Sequence, residues 1–141
     1  MSEKIRILIA DDHEESRQAL RKLLSLAEDM EIIGETGDGK EALVSAAMRM
    51  PDIILMDGRM PVLSGLEASR ILNRKEFSCK VIMLTSYDHL ASEALRAGVR
   101  GYLLKGINFE VLTDSIRKVH QGKTVIDEKL GKRCLENPTF V

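Results

Sequence analysis

The sequence predicts an α/β fold in which five parallel strands and five helices alternate as a doubly wound (βα)5 sandwich, with helices on both faces of a five-stranded sheet. Short runs of Ile, Leu, Val and Met without clear alternation are typical of strands that are covered on both faces. Between these runs, residues of helical spacing recur every three or four positions, which is typical of amphipathic helices. Right-handed crossovers should therefore connect the strands.

The five predicted strands are short, and a polar residue follows each of them. In order they are IRILIA (5–10), EIIGETG (31–37), DIILM (52–56), KVIML (80–84) and GYLL (101–104). The helical stripes that alternate with them comprise Ser16, Ala19, Leu20, Leu23, Leu24 and Ala27; Ala42, Leu43, Ala46, Ala47 and Met50; Ala68, Ile71 and Leu72; Leu90, Ala91, Ala94 and Leu95; and Leu112, Ile116 and Val119.

Length and charge limit the classes of function. The 141 residues fit one domain of ordinary size, and the formal net charge of −1 gives no overall field that would attract nucleic acid or an anionic membrane. The cysteines, Cys79 and Cys134, show no CxxC spacing, which favours reduced thiols in a cytoplasmic protein. The apolar run before Asp11 is too short for a membrane span or a signal peptide. We therefore expect a soluble, cytoplasmic protein with no membrane partner.

Five polar residues stand at the ends of predicted strands. Asp11 and Asp12 follow the first strand, Asp57 follows the third, Thr85 the fourth and Lys105 the fifth. Because ligands of open α/β sheets bind at the carboxyl ends of the strands, these side chains should form one site. The alternative for the first two aspartates is structural, since they could simply cap the first helix.

The three carboxylates predict a magnesium site. Like charges at close range raise one another's pKa unless a cation lies between them. Mg²⁺ prefers oxygen ligands and is commonly held by one or two carboxylates together with a phosphate. No histidine or cysteine is needed, which argues against zinc or copper. His13 could approach the site, but the sequence favours a surface position for it at the start of a helix.

A carboxylate beside Mg²⁺ can also attack phosphorus and form an acyl phosphate. The transferred phosphoryl group spreads charge over its oxygens, so it needs cations and hydrogen-bond donors around it. Lys105 can supply an ammonium group, Thr85 a hydroxyl group, and the loop after Asp57 backbone N–H groups. The set of residues is therefore suited to phosphoryl transfer onto a carboxylate.

The segments IADD (9–12), LMDGRMPVLSG (55–65), MLTS (83–86) and GYLLKG (101–106) together resemble the receiver domain of two-component response regulators. The resemblance extends from residue 4 to about 121. It implies a flavodoxin-like fold and a protein that accepts a phosphoryl group from a sensor histidine kinase. Such a protein is not an enzyme for an external substrate, because it catalyses only its own phosphorylation and dephosphorylation.

The resemblance also implies roles for individual residues. Asp57 is the expected phosphoacceptor. Asp12, Asp57 and the backbone carbonyl of Arg59 are the expected direct ligands of Mg²⁺, and Asp11 is expected to assist, often through water. Each of these roles is carried over to the residue of this sequence that matches the motif of the family.

Lys105 and Thr85 are expected, from the same resemblance, to hold the phosphoryl oxygens. In similar receivers the hydroxyl residue moves toward the phosphate, and the aromatic residue three positions before the lysine, here Tyr102, turns inward to fill the space. Thr85 and Tyr102 are therefore the expected switch. Gly106 stands where many receivers carry proline, so we expect a trans peptide bond between Lys105 and Gly106.

Residues 1–122 are predicted to form the receiver, and residues 123–141 a C-terminal linker with a short extended piece and a helix from about Asp127. The DHEES and GYLLKG segments and the tail are similar to the NarL/FixJ group, whose linkers lead to a DNA-binding helix-turn-helix domain. We expect a truncated transcription regulator that contacts DNA only through an output domain absent from this chain. A homodimer that forms on phosphorylation is compatible with this group.

Two other functions remain open at this level. One is a stand-alone receiver that acts through protein–protein interaction. The other is an aspartyl-phosphate hydrolase, which is disfavoured because such enzymes place their nucleophile in a DxD arrangement after the first strand and need a substrate cap. In this sequence the first strand ends in DD, and the isolated aspartate, Asp57, ends the third.

Overall fold

The computed structural model describes residues 3–86 and 91–127, and these form one parallel sheet with helices on both faces. The strand order is β2-β1-β3-β4-β5-β6, and every neighbouring pair is parallel. The predicted doubly wound α/β fold is therefore confirmed. The strands are β1 (Ile5–Ala10), β2 (Met30–Thr36), β3 (Ile53–Asp57), β4 (Lys80–Thr85), β5 (Gly101–Leu104) and β6 (Val125–Ile126).

The sheet has one strand more than the predicted five. Val125 and Ile126 add a sixth strand at the edge of β5, where the Val125 amide donates to the Arg100 carbonyl over 2.9 Å and the Asp127 amide donates to the Tyr102 carbonyl over 2.8 Å. Two residues are too few to show a periodic pattern, so this segment was predicted only as a short extended piece. The helix predicted from about Asp127 lies outside the described residues.

The helices cover both faces of the sheet, as expected for a doubly wound fold. The helices α1 and α5 cover one face with Leu24, Leu112 and Ile116, whereas the other three cover the opposite face. The helices contain most residues of the predicted stripes, but Ala27 lies beyond the end of α1, Met50 is the C-cap of α2, and Leu90 lies outside the described residues. The helices are α1 (Glu14–Leu24), α2 (Gly39–Arg49), α3 (Gly65–Arg74), α4 (Ala91–Arg96) and α5 (Phe109–His120).

Side-chain caps start three of the helices, but α1 begins differently. Asp38, Ser64 and Asn108 each accept a hydrogen bond from a backbone N–H in the first turn of α2, α3 and α5. The N-cap of α1 is His13, whose side chain makes no capping hydrogen bond. The aspartates before it do not fill that position, so the alternative in which they serve as helix caps is not supported.

The peptide bond between Lys105 and Gly106 is trans, as predicted, and the described residues contain no cis peptide bond. Burial raises the pKa of the Cys79 thiol. Cys134 lies outside the described residues. Within the described ranges, no helix combines the length and the apolar character that crossing a bilayer requires.

Candidate functional site

The carboxyl edge of the sheet brings Asp11, Asp12, Asp57, Thr85 and Lys105 together. β1 ends one residue before the aspartate pair, β3 and β4 end on Asp57 and Thr85, and β5 ends one residue before Lys105. The backbone ties these ends to one another, since the Lys105 amide donates to the Thr85 carbonyl over 2.9 Å. All five residues predicted from strand ends therefore lie at one edge of the sheet.

A single ammonium group connects two of the carboxylates. Lys105 Nζ lies 3.1 Å from Asp11 Oδ2 and 3.2 Å from Asp57 Oδ2. Asp57 is only 6% exposed and Asp11 only 3%, so these contacts form where water screens charges weakly. Asp12, whose side chain is 31% exposed, lies on the solvent side of the pair. The site is therefore a partly buried acidic cluster with one lysine inside it.

The charges of the cluster perturb one another. Burial raises the pKa of Asp57 above its usual value, and the nearby Asp11 carboxylate adds to this, although the Arg59 amide and the Lys105 ammonium act in the opposite direction. Burial disfavours the charged form of Lys105, yet the two neighbouring aspartates outweigh burial and raise the pKa of its ammonium group. The lysine therefore remains charged, and the carboxylate of Asp57 is left under-stabilised.

The loop after β3 presents Asp57 through its backbone. The Arg59 amide donates to Asp57 Oδ1 over 3.2 Å, and the Gly65 amide donates to the Gly58 carbonyl over 3.1 Å. Gly65, the first residue of α3, packs so closely that a Cβ there would lie 2.0 Å from the Asp57 carbonyl oxygen. Glycine is thus required for α3 to start directly beneath Asp57. The role predicted for the Arg59 carbonyl stays a prediction.

The loop after β1 is held by residues that sequence analysis missed. The Asp11 amide donates to the Thr36 carbonyl at the end of β2 over 3.0 Å. At the carbonyl group of the same residue, the Arg17 guanidinium donates to Asp11, and it also lies 3.6 Å from the Glu35 carboxylate. A basic residue in the second turn of the helix that follows the aspartate pair was the only available signal. Its partner Glu35 is distant in sequence.

His13 lies closer to the carboxylates than the sequence suggested. Its ring is exposed, in agreement with the predicted surface position, but Nδ1 lies 3.2 Å from Asp11 Oδ1 and 3.0 Å from Asp12 Oδ1. Its backbone amide also donates to Asp11 Oδ1 over 2.9 Å. His13 therefore belongs to the site.

The donor atoms can surround a metal ion. One ligand atom from each of Asp11, Asp12, His13 and Asp57 lies within 4.8 Å of every other. The carboxylate oxygens are the hard donors that Mg²⁺ prefers, and the exposed side of Asp12 leaves room for water and phosphate ligands. The residues present therefore fit the predicted magnesium ion.

Thr85 and Tyr102 lie on the same face of the sheet, behind the site. Met83, two residues before Thr85 in β4, is the register partner of Tyr102 in β5. Side chains two apart on a strand point to the same face, and so do those of register partners, so Thr85 and Tyr102 share the face that α4 covers. Both side chains are fully buried, and Tyr102 packs among apolar residues that include Ala91 and Ala94 of α4. The structure thus holds Tyr102 in an inward position.

An apolar cleft opens beside the acidic cluster. It has a volume of about 210 Å³, and its lining includes Asp11 and Lys105. Leu20 and Leu23 of α1 and Leu112 of α5 also line it. The cleft therefore borders the lysine and one aspartate of the cluster.

The comparison with protein families gives one match that covers most of the chain. Residues 7–117 match the family described as the response regulator receiver domain. The matched range contains all the strand-end residues of the site.

The curated relatives include transcriptional regulatory proteins of Bacillus subtilis and a response regulator of Staphylococcus aureus. The transcriptional regulatory protein LnrK of Bacillus subtilis is 38% identical over 133 residues, which are 93% of this chain and 60% of LnrK. The transcriptional regulatory protein YvfU of the same organism is 40% identical over 141 residues, which are 97% of this chain and 70% of YvfU. The response regulator VraR of Staphylococcus aureus is 38% identical over 128 residues, or 89% of this chain and 61% of VraR. The chain therefore spans about three fifths of LnrK and VraR.

Solved structures agree with these relatives. The signal receiver domain of the response regulator NarL from Mycobacterium tuberculosis has a TM-score of 0.84 at 28% identity, covering 86% of this chain and 100% of that chain. A DNA-binding response regulator of the LuxR family from Staphylococcus aureus has a TM-score of 0.78 at 30% identity, covering 82% of this chain and 98% of that chain. Sequence and structure comparisons thus point to one family.

Proposed function

Because the chain belongs to the family of response regulator receiver domains, we propose that Asp57 is its phosphoacceptor, with a histidine kinase as the phosphoryl donor. The observation that carries this proposal is the position of Lys105 Nζ within hydrogen-bond range of both Asp57 and Asp11 at the carboxyl edge of the sheet. The Lys105 ammonium group, which already contacts two carboxylates, is well placed to stabilise the negative charge of an incoming phosphoryl group.

The surroundings of Asp57 favour it over the other aspartates as the acceptor. Its two carboxylate oxygens face two donors, the Arg59 amide and the Lys105 ammonium, which can both turn to phosphoryl oxygens after transfer. Its raised pKa reflects a carboxylate that burial leaves poorly stabilised. Asp11 receives a similar amide, from His13, and contacts the same ammonium, so these donors do not separate the two residues. Asp57 is the proposed acceptor because of its raised pKa and its place at the end of β3 in the LMDGRMPVLSG segment.

We propose Mg²⁺ as the cofactor, held by Asp11, Asp12 and Asp57 together with the backbone carbonyl of Arg59. When bound, the ion supplies positive charge that neutralises the phosphoryl oxygens. The residues of the chain do the rest. Asp57 attacks phosphorus, Lys105 contacts a phosphoryl oxygen, and the kinase histidine leaves as the P–N bond breaks. This is a single transfer onto the protein and not turnover of an external substrate.

The switch that follows is proposed to involve Thr85 and Tyr102. Thr85 ends β4 at the site and shares a sheet face with Tyr102, whose ring packs against α4. A phosphoryl group that draws the Thr85 hydroxyl toward it would favour the inward position of Tyr102. Phosphorylation would then shift the population toward the state in which Tyr102 points inward and the surface formed by α4 and β5 keeps a single conformation.

The proposed output is transcriptional control by a DNA-binding domain that is not among these 141 residues. Support comes from the relatives, which are named as transcriptional regulatory proteins. Residues 1–122 would act as the receiver and residues 123–141 as the linker, of which β6 is the first part. A homodimer that forms on phosphorylation is compatible with this arrangement. The kinase and the DNA target would both be met in the cytoplasm, which is the proposed location.

Labelling with a small phosphodonor tests the proposal. With acetyl phosphate and Mg²⁺, the wild type should gain a single phosphoryl group per chain by intact mass, and chelation of Mg²⁺ should abolish the label. Asp57→Asn should remain unlabelled. Asp114→Asn is the matched control, because Asp114 is an exposed aspartate on α5 that pairs with Lys118.

Two results would contradict the proposal. Undiminished labelling of Asp57→Asn would show that another residue is the acceptor. Sustained hydrolysis of an added phosphomonoester, with many turnovers per chain, would instead favour the hydrolase alternative.

A further inference from the structure

The histidine after the aspartate pair is the site residue that the proposed function leaves without a role. His13 is the N-cap of α1 by its backbone, with φ −100° and ψ 113°, but its ring makes no capping hydrogen bond. The ring turns instead toward the carboxylates, although 65% of the side chain is exposed and could extend into water. This orientation brings a nitrogen donor to a cluster that otherwise contains oxygen donors.

The distances suit ligands that share one metal ion. His13 Nδ1 lies 3.0 Å from Asp12 Oδ1 and 3.2 Å from Asp11 Oδ1. For metal–ligand bonds of about 2.1 Å, adjacent ligands of an octahedral ion lie roughly 3.0 Å apart. Both contacts of His13 Nδ1 therefore have the spacing of neighbouring ligands, and the one to Asp11, which is a hydrogen bond in this structure, would be replaced by shared binding of the ion.

Lys105 does not compete for the same oxygens. It contacts Asp11 Oδ2 and Asp57 Oδ2, whereas the His13 ring faces Asp11 Oδ1 and Asp12 Oδ1. A cation on the histidine side can thus bind while the lysine stays in place. The loop that carries these donors is fixed at Asp11, whose amide donates to the Thr36 carbonyl and whose carbonyl accepts from Arg17.

We propose that His13 is a further metal ligand, through Nδ1, and that it gives the site a preference for first-row transition metal ions over Mg²⁺. The inference rests on the proposed function, because it assumes that the acidic cluster is the cation site of the receiver. Magnesium gains little from a nitrogen ligand, whereas imidazole is a good ligand for ions such as Ni²⁺ and Zn²⁺, whose affinity for mixed nitrogen and oxygen sites is also higher. The prediction that no histidine is needed then holds for Mg²⁺ alone.

Binding measurements on the phosphate-free protein test the preference. Calorimetry with Mg²⁺ and with Ni²⁺ should show tighter binding of Ni²⁺ to the wild type. His13→Gln should weaken Ni²⁺ binding by roughly tenfold or more, since even the loss of a residue that only supports a ligand costs that much. The same variant should change the affinity for Mg²⁺ by less than about twofold.

A spectroscopic measurement identifies the ligand directly. Pulsed electron paramagnetic resonance of bound Mn²⁺ should show coupling to a nitrogen nucleus in the wild type, and the coupling should disappear in His13→Gln. His120→Gln is the matched control and should retain it. His120 ends α5 at the opposite edge of the sheet, where its carbonyl accepts from Lys80.

The outcomes separate this inference from the proposed function. Binding of Mg²⁺ and Ni²⁺ that is the same in wild type and His13→Gln, with no nitrogen coupling to Mn²⁺, would overturn the role of His13 and leave the magnesium site standing. Failure of all three ions to bind would overturn both. Loss of Ni²⁺ affinity together with loss of nitrogen coupling in His13→Gln alone would support the inference.

Discussion

Some residues of the site could be predicted because they lie at the ends of strands. Others belong to the site only because of the direction in which their side chains point. Asp57, Thr85 and Lys105 could be predicted because each follows an apolar run, and parallel strands all end at the same edge of a sheet. The contacts of His13 and Arg17 could not, because they depend on which way a ring or a guanidinium turns and on partners from β2 that are distant in sequence.

Gly65 offers a sharp test at the residue scale. In Gly65→Ala the new methyl group would lie 2.0 Å from the Asp57 carbonyl oxygen, so either α3 or the end of β3 must move. We expect a loss of stability of about 1–3 kcal/mol, the usual cost of overpacking, measured by urea unfolding. Because the shifted residue is the proposed acceptor, labelling by acetyl phosphate should also slow.

Gly37→Ala is the control for that substitution. A methyl group at position 37 would meet no atom nearer than Arg17 Nη1 at 3.7 Å, which is an ordinary contact. Its stability should stay within about 0.5 kcal/mol of the wild type. Equal stability of the Gly65 and Gly37 variants would contradict the close packing of α3 beneath Asp57.

At the scale of elements, the five longer strands followed from apolar runs and the helices from periodic spacing. Strand β6 shows where such local patterns fail. Five strands and five helices were predicted from apolar runs and stripes. β6 has only two residues, and its place depends on the free edge of β5, a tertiary feature that no local pattern reveals. Its attachment is nevertheless relevant to function, because its partner strand carries Tyr102.

Hydrogen exchange should show that β6 opens more easily than the rest of the sheet. The Val125 amide donates to the carbonyl of Arg100, directly before β5, and the Asp127 amide donates to that of Tyr102 in β5, at the sheet edge. Strand β4, in contrast, has neighbours on both sides. We expect the Val125 and Asp127 amides to exchange at least about tenfold faster than those inside β4. Equal protection would mean that β6 belongs to the cooperative core.

A pH-dependent ion pair joins α5 to the turn before β2. Arg117 donates to both carboxylate oxygens of Asp29, over 2.8 and 3.0 Å, and these hydrogen bonds lower the pKa of Asp29 from its ordinary value of 3.8. Because the pKa of Asp29 is lower in the folded state, its carboxylate stabilises the fold at pH values above the pKa of the unfolded state. This contribution is lost as the pH falls through the pKa of the folded state. The effect should be small, since Asp29 is 44% exposed.

Substitution of Asp29 should reveal the pH dependence of this ion pair. Asp29→Asn should lower the stability by at most about 1 kcal/mol at neutral pH, and the difference from the wild type should shrink as the pH falls below about 3.8 and vanish only below the lowered pKa of the folded state. Lys118→Gln, which breaks an exposed pair within α5 alone, should have a smaller effect at neutral pH. A difference between Asp29→Asn and the wild type that persists unchanged at pH 3 would argue against the ion pair as its cause.

On the scale of the whole molecule, the fold separates the proposed phosphorylation site from the proposed switch residue. The acidic cluster lies at the carboxyl edge, while Tyr102 lies in the neighbouring strand, level with Met83 two residues before Thr85, and packs with α4. The family and fold were predictable because both depend on the order of strands and on motifs at their ends. Contacts with the proposed output domain were not, because they would involve residues outside this sequence.

The most direct test of the central claim is to identify the residue that carries the phosphoryl group. Borohydride reduces an acyl phosphate of aspartate to homoserine, so reduction of the labelled protein followed by peptide mass spectrometry marks the acceptor in the sequence. The account predicts homoserine at position 57, and only when Mg²⁺ was present during labelling. Homoserine at position 11 or 12, or a phosphoryl group that resists reduction because it is bound to a hydroxyl or imidazole side chain, would contradict it.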